Sequence, residues 1–470
     1  MLELFESFVN ESNNILWSYV LIILLIGAGL FFTIKSGFVQ FVNIKEMFSL
    51  LAQGATSKRG GVSSFQAFCI STASRVGTGN LAGVALAIVA GGPGAVFWMW
   101  LIALIGSASA FVESTLAQIY KEKEPTKHSF VGGPAYYIEK ALGSRNLGIV
   151  FSILITICFG FIFNAVQSNT ITFAFQEAYG IDRIQLGLAL TFLTAIIIFG
   201  GVKRIAKVSE TLVPIMAVAY ILVAIYVLIS NIGQVPSIIA LIVNNAFGLE
   251  QVAGGAVGAA LMQGIKRGLF SNEAGMGSAP NAAATANVTH PVKQGFIQTL
   301  GVFTDTLLIC TATAFLILIS GEYTVKGVDG IQLTQAAMKS QVGDWGTPFI
   351  AVCILLFAFS SIVGNYYYGE SNIKFISSNR VYLIMYRVFV LIMVMFGAYT
   401  SIGLVWNLAD LFMGLMALIN IYAILRLSPI AFAALKDYMA QKKEGKNPVF
   451  LAKNIGLDKG VECWKEEIKA

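Results

Sequence analysis

Charge is scarce in this chain. Asp, Glu, Lys and Arg make up 12% of its 470 residues, about half the share usual in soluble domains. With 56% hydrophobic residues and a mean hydropathy of +0.75, that shortage excludes an ordinary soluble domain. Histidine is scarcer still. The two histidines, His128 and His290, fall in polar connections, which argues against a His-based metal or acid–base centre. No other nucleophile–base set points to an intramembrane enzyme. The five cysteines are scattered: Cys69, Cys158, Cys310 and Cys353 lie in apolar segments and Cys463 near the end. Such spacing suits neither a disulfide framework nor a metal site, and small buried hydrophobes are expected. A basic leader is missing as well. The first apolar run begins near Trp17 behind the acidic MLELFESFVNESNN, so a retained helix is expected rather than a signal peptide.

What the chain does have is membrane-length apolar runs from end to end. Each approaches the roughly 20 residues that cross a bilayer, and eleven spans are expected. They lie near 15–34, 65–90, 94–119, 148–173, 185–202, 208–230, 253–288, 294–320, 347–371, 381–399 and 403–427. Segments 235–250 and 331–342 read as loop helices at the surface. The basic residues sort strongly between the connections. One side carries most of the 31 Lys and Arg, while the other has Arg183, Lys326 and Lys339. The positive-inside rule then puts the N-terminus outside and the C-terminus in the cytoplasm of a multi-pass cell-membrane protein. The basic pI of 8.9 follows from this bias and calls for no nucleic-acid partner; the tail could rest near anionic lipid.

Two spans are interrupted by polar, Gly-rich chain, at Ser71 to Asn80 and at Gly264 to Ser278. Lipid offers freed backbone groups no partner, so such breaks imply a protein-lined cavity at the midplane. Setting the first span aside, each break opens a group of five spans. An odd number inverts the second group relative to the first, giving a five-plus-five inverted repeat with an extra N-terminal helix. The expected organisation is residues 1–60 as N-terminal helix and cytoplasmic loop and 61–252 as first repeat. Residues 253–427 form the second repeat and 428–470 a cytoplasmic tail.

The breaks are where chemistry is expected. In the first, the amides at Thr78, Gly79 and Asn80 open a helix and can hold a carboxylate. Freed carbonyls from Ala73 to Val76 suit a hard cation such as Na⁺. In the second, Ser271, Asn272, Gly275, Gly277 and Ser278 offer a polar lining. Ser360 and Ser361, adjacent hydroxyls midway along the ninth span, either bond back to the preceding turn or complete an oxygen cage with the first break. Asn164 and Gln167 share one face of the fourth span and either border a cavity or tie helices together. A charge at bilayer depth costs at least about 2.5–3.5 kcal/mol, so Arg75 needs a partner. Glu273 and Asp305 are the candidates, in an ion pair or gate. Lys266 and Arg267 fit similar pairs. Trp98, Trp100, Trp345 and Trp406 lie near span ends, as interface anchors do.

Gly91-Gly-Pro-Gly-Ala-Val-Phe-Trp-Met-Trp100, Arg75-Val-Gly-Thr-Gly-Asn80 and Gly268-Leu-Phe-Ser-Asn-Glu-Ala-Gly-Met-Gly-Ser-Ala-Pro280 are long motifs of unusual composition. With them the chain resembles, over nearly its whole length, the sodium:alanine (alanine or glycine:cation) symporter family of the amino acid–polyamine–cation type. The resemblance implies the LeuT-like fold and Na⁺- or H⁺-coupled uptake of alanine or glycine, by a mechanism for which a monomer suffices. It implies a carboxylate-binding break at Val76–Asn80. It also implies a Na⁺ site from the Ala73, Val76 and Phe357 carbonyls and the Ser360 and Ser361 hydroxyls. Arg75 stands where some relatives place a second Na⁺, so one coupled ion is expected, and no other cofactor. The alternative is a proton- or other cation-coupled carrier of a different small solute.

Overall fold

The computed structural model describes residues 2–56, 61–124, 129–248, 254–457 and 459–465. His128 and the expected junction between repeats lie outside them. Eight described helices are long and apolar enough to cross a membrane. Seven frame the arguments below: α1 (Leu4–Lys35), α4 (Ala95–Ile119), α6 (Arg145–Tyr179), α9 (Val292–Ser320), α11 (Gly346–Ile376), α12 (Arg380–Tyr399) and α13 (Ile402–Lys443). The eighth is Lys207–Ser230. A ninth span is the bent pair α2 (Ser64–Arg75) and α3 (Gly79–Gly91), whose axes differ by 49°. The other two expected spans are less regular. Arg183–Ile198 has only 16 residues, and the second break divides α7 (Gly254–Asn272) from α8 (Ala279–Ala284). The chain is helical throughout its spans; one two-residue ladder pairs Glu122–Lys123 with Phe130–Val131 in the loop after α4.

Local chemistry explains both breaks. A reciprocal capping box starts α2: Gln66 N–H donates to Ser63 Oγ and Ser63 N–H to Gln66 Oε1, both at 3.1 Å, satisfying two amides the helix cannot. The helix stops where Val76 turns extended (φ −80°, ψ 91°). In the second break Glu273, Gly275 and Gly277 have φ of 58°, 85° and 86°. Two glycines adopt this without strain; for Glu273 it costs roughly 1–2 kcal/mol, so its side chain needs a compensating role. Among the described residues, three of the four π-helical segments adjoin the breaks: Gly79–Gly83, Thr156–Phe163 and Phe303–Cys310. Widened turns of this kind cluster at functional sites.

Several boundaries differ from expectation. The acidic lead is helical from Leu2, its amphipathic spacing having been hidden by its charge. Segments 235–250 and 331–342 do form helices, Val235–Ala246 and α10 (Gly330–Val342). However, α10 buries Leu333, Thr334 and Gln335 and bonds Thr334 Oγ1 to Leu81 O of α3 at 3.0 Å, so it packs over the first break. At the other end α13 continues through Pro429 to Lys443.

The tail folds back on the protein. Trp464 is fully buried and donates Nε1–H to Gln118 O at 2.8 Å. Phe450 N–H reaches Thr289 O at 2.9 Å, and Glu462 pairs with Lys140 at 2.8 Å. His290, given no role from sequence, caps α9: Val292 N–H donates to Nδ1 at 3.2 Å while Nε2 faces Asp437 at 3.1 Å. Burial holds its pKa below the usual imidazole value. Trp464→Ala is expected to cost about 3–5 kcal/mol of tail docking. Limited proteolysis after Lys443 should then run at least about a hundredfold faster, and an unchanged cleavage rate would place the anchor elsewhere.

Candidate functional site

The two breaks touch. A Cβ added to Gly79 would lie 3.0 Å from Phe270 Cδ1 and 3.2 Å from Ser271 Cα, so the start of α3 meets the end of α7. Helix starts leave N–H groups and helix ends leave carbonyls without ladder partners. They also carry partial positive and negative charge. The junction therefore faces a donor end with an acceptor end, the pattern that complements a zwitterion. At the donor end two amides are held by carboxamide oxygens: Thr78 N–H donates to Gln167 Oε1 and Gly77 N–H to Asn80 Oδ1, both at 2.9 Å. Gln167 thus supplies an acceptor oxygen where a carboxylate oxygen was expected. Asn164 bonds Gly160 O of its own helix at 2.9 Å, and its Oδ1 is buried without a partner. Thr78 Oγ1 and Asn272 Nδ2 are likewise buried and unpaired. Buried polar atoms are normally satisfied, so these three mark places for water or ligand.

An oxygen cluster lies on the other side of the first break. Ser361 Oγ is 3.3 Å from Val76 O and 3.0 Å from Phe357 O, and Ser360 Oγ is 2.8 Å from Phe357 O. Four of the five expected cation ligands are therefore adjacent, and Ala73 is fully buried one turn before Val76. Both serines bond back to the preceding turn, and Ser361 also reaches the break, so the two roles foreseen for them coexist. Carbonyl and hydroxyl oxygens are the donors that hard cations take. Among the described residues no cluster of three His, Cys, Asp or Glu fits a metal. The approach is close: a Cβ on Gly77 would sit 2.2 Å from Ser361 Oγ.

Carboxylates join the breaks. Asp305 accepts from Asn80 Nδ2 at 2.7 Å, Ser271 Oγ at 2.8 Å and Thr306 Oγ1 at 2.8 Å. Cys310 lies alongside, with Sγ 3.3 Å from Asn80 Nδ2 and 3.2 Å from Ser271 Oγ. Glu273 accepts from Ser74 Oγ at 2.7 Å and from Ser278 Oγ at 2.5 Å, which gives its left-handed backbone a purpose. Gly275 and Gly277 place their amides on a third carboxylate, Glu113 of α4, each at 3.1 Å.

Arg75 forms no ion pair among the described residues. Its Nη1 donates to Gln298 O at 3.3 Å, and Nε and Nη2 have no partner. Glu113, Glu273 and Asp305 are within its electrostatic range. Among the described residues it is therefore not the ion-pair partner of either carboxylate expected for it. Lys266, Arg267 and Arg387 are paired. Arg267 Nη2 lies 2.5 Å and Lys266 Nζ 3.4 Å from Asp410 Oδ2, and Arg387 donates to the Tyr366 hydroxyl at 2.9 Å.

Trp406 is not an interface anchor. It is 4% exposed, carries Arg267 over its ring at 4.7 Å and packs on Phe270 with centroids 4.5 Å apart. Phe270 stacks in turn on Phe163 at 4.5 Å, so three aromatic rings wall the junction beside Gly79. Glu113, Asp410 and Trp406 are site residues that sequence reasoning passed over. For the two acids a signal existed, since any carboxylate within an apolar span is a candidate functional group.

Comparison with known proteins gives a consistent result. A family model described as the sodium:alanine symporter family matches residues 2–452. The chain is 56% identical over 465 residues to a probable sodium/glutamine symporter of Bacillus subtilis (strain 168), covering 99% of this chain and 97% of that one. An amino-acid carrier protein of the same organism is 57% identical over 463 residues, 98% of each chain. A putative sodium/proton-dependent alanine carrier protein, also from Bacillus subtilis, is 44% identical over 476 residues, again 98% of each.

Proposed function

Because the chain belongs to the sodium:alanine symporter family, we propose that it carries small neutral amino acids, chiefly alanine and also glycine, into the cell together with Na⁺. The observation that carries this reading is the contact between the start of α3 and the end of α7 at Gly79 and Ser271. A donor end and an acceptor end on opposite sides of one slot suit an amino acid's carboxylate and ammonium. The carboxylate goes to the Thr78–Gly79 amides, displacing the Gln167 oxygen. The ammonium goes to the carbonyls at the end of α7, with the Asn272 Oδ1 and Ser278 Oγ acceptors completing that side. The wall of Phe163, Phe270 and Trp406 favours a small side chain. Alanine against glycine is a difference of one buried carbon, about 0.8 kcal/mol, so use of both is physically reasonable.

Na⁺ is assigned to the carbonyls of Ala73, Val76 and Phe357 and the hydroxyls of Ser360 and Ser361. An ion there ties the first break to α11 and preorganises the amides that receive the carboxylate. By linkage, the amino acid then tightens Na⁺ in equal measure. One charge moved through 100 mV supplies about 2.3 kcal/mol, and a tenfold gradient about 1.4 kcal/mol. Together they sustain several hundred-fold accumulation. Two groups of five spans, each opened by its broken helix and inverted relative to the other, as residues 61–252 and 253–427 of an eleven-span chain, would alternate access by rocking. The charge bias supports an outside N-terminus and a cytoplasmic C-terminus at the cell membrane.

Glutamine is the second substrate reading. The unpaired Thr78 hydroxyl and Asn272 amide would satisfy a carboxamide, and a relative carries that substrate in its name. Thermal stabilisation of the purified protein by alanine, glycine and glutamine, with and without Na⁺, separates the two. Na⁺-dependent stabilisation by alanine and glycine, at least about tenfold stronger than by glutamine, is expected. The reverse order would assign the slot to glutamine.

A further inference from the structure

Glu113 is fully buried in α4 and forms no ion pair among the described residues. A carboxylate at that depth is costly. A role in helix packing alone would be met as well by an apolar side chain. Its oxygens serve the second break instead. Oε1 accepts Gly275 N–H and Oε2 accepts Gly277 N–H, each at 3.1 Å, and Asn420 Nδ2 donates to Oε2 at 2.7 Å. Asn420 also donates to Gly275 O at 2.9 Å and receives the Tyr137 hydroxyl. Tyr137 belongs to α5 (Pro134–Leu142) in the loop between α4 and α6.

The two glycines have positive φ, so this segment has no helical ladder to hold its shape. Charge-assisted bonds to one carboxylate replace it. The surroundings leave no slack: a Cβ on Gly277 would meet Asn420 Cγ at 2.8 Å, Phe151 Cζ at 2.8 Å and Pro134 Cγ at 2.9 Å.

We propose that Glu113, aimed by Asn420 and Tyr137, is a positioning residue that moulds the second break and thereby sets amino-acid affinity without touching the amino acid. The proposal rests on the symport reading above. By fixing Gly275 and Gly277 in a single conformation, Glu113 holds the end of α7 against Gly79, where the ammonium is received. It does not reach the oxygen cluster of Val76, Phe357 and Ser361, which is built on α2 and α11.

That separation provides the test. Glu113→Gln keeps the shape but has one acceptor oxygen, and its amide N–H groups would face other donors. Purified full-length protein is titrated first with Na⁺ alone and then with alanine at saturating Na⁺, following thermal stabilisation. Glu113→Gln is expected to weaken alanine at least about tenfold while the Na⁺ midpoint stays within about twofold. Glu113→Asp, which keeps the charge on a shorter arm, should fall between Gln and wild type. If Glu113→Gln does not fold, Asn420→Ala removes one donor from Oε2 and should weaken alanine about threefold or more.

Unchanged alanine affinity in these variants would overturn the proposal. So would equal losses of alanine and Na⁺ binding, the signature of general destabilisation. A wild-type protein that answers to no amino acid would remove the symport reading and this inference with it. A responsive wild type with an equally responsive Glu113→Gln removes only the inference.

Discussion

Asp305→Asn is expected to lower Na⁺-driven amino-acid uptake at least about a hundredfold, with the protein still present in the membrane. The reason is a chain of bonds that runs from one break to the other. Gly77 N–H donates to Asn80 Oδ1, Asn80 Nδ2 to Asp305 Oδ1, and Ser271 Oγ to Asp305 Oδ2. Asparagine has the same shape but a single acceptor oxygen, so it must turn an NH₂ group towards either the Asn80 amide or the Ser271 and Thr306 hydroxyls. Against Asn80 that is donor against donor, and a hydroxyl can adapt only by rotating. Each charge-assisted bond lost costs about 1.5–3 kcal/mol. Two of them exceed the roughly 2.8 kcal/mol that corresponds to a hundredfold. Uptake is measured in sealed vesicles and normalised to protein content. A rate within about fivefold of wild type would mean that Asp305 does not join the breaks during transport.

Gly77→Ala is the second large effect. The added methyl would lie 2.2 Å from Ser361 Oγ and 2.8 Å from Gln167 Oε1, distances that no relaxed contact shows. Either Ser361 leaves Val76 O or the break moves away from α11. Overpacking of this kind costs about 1–3 kcal/mol, and here it falls on the oxygen cluster itself. The Na⁺ midpoint for amino-acid uptake is expected to rise about tenfold or more. A companion Ser361→Ala should raise it too by removing a ligand, although it introduces no clash. An unaltered Na⁺ midpoint in Gly77→Ala would move the ion elsewhere.

Both breaks were legible in the sequence because glycine and polar residues inside a bilayer-length run have few physical explanations. The bend between Arg75 and Gly79 and the left-handed turns at Gly275 and Gly277 fall within the segments so marked. Partnerships were harder to read. Arg75 has two carboxylates as natural candidates, yet among the described residues its hydrogen bond goes to the carbonyl of Gln298, on the face of α9 where Gly301 leaves its guanidinium room. A backbone acceptor carries no sequence signature. Trp406 looked like an interface residue because it lies near a span end, whereas burial depends on which helix face meets α7. Glu113 stood in plain view among apolar residues of α4. What was hidden is that its partners are backbone amides of glycines more than 160 positions away. The returning tail was also missed, since the apolar run around Phe450 is too short to span and Trp464 stands among charged residues, so only the surface they meet gives them meaning.

The central claim is that an inward Na⁺ gradient drives amino-acid entry through the paired breaks. It is tested most directly by alanine uptake into proteoliposomes of the purified protein at fixed pH, with Na⁺, K⁺ or choline outside. Accumulation only with external Na⁺, enhanced by an inside-negative potential, is the expected result. Equal uptake with K⁺ or choline in place of Na⁺ would contradict it.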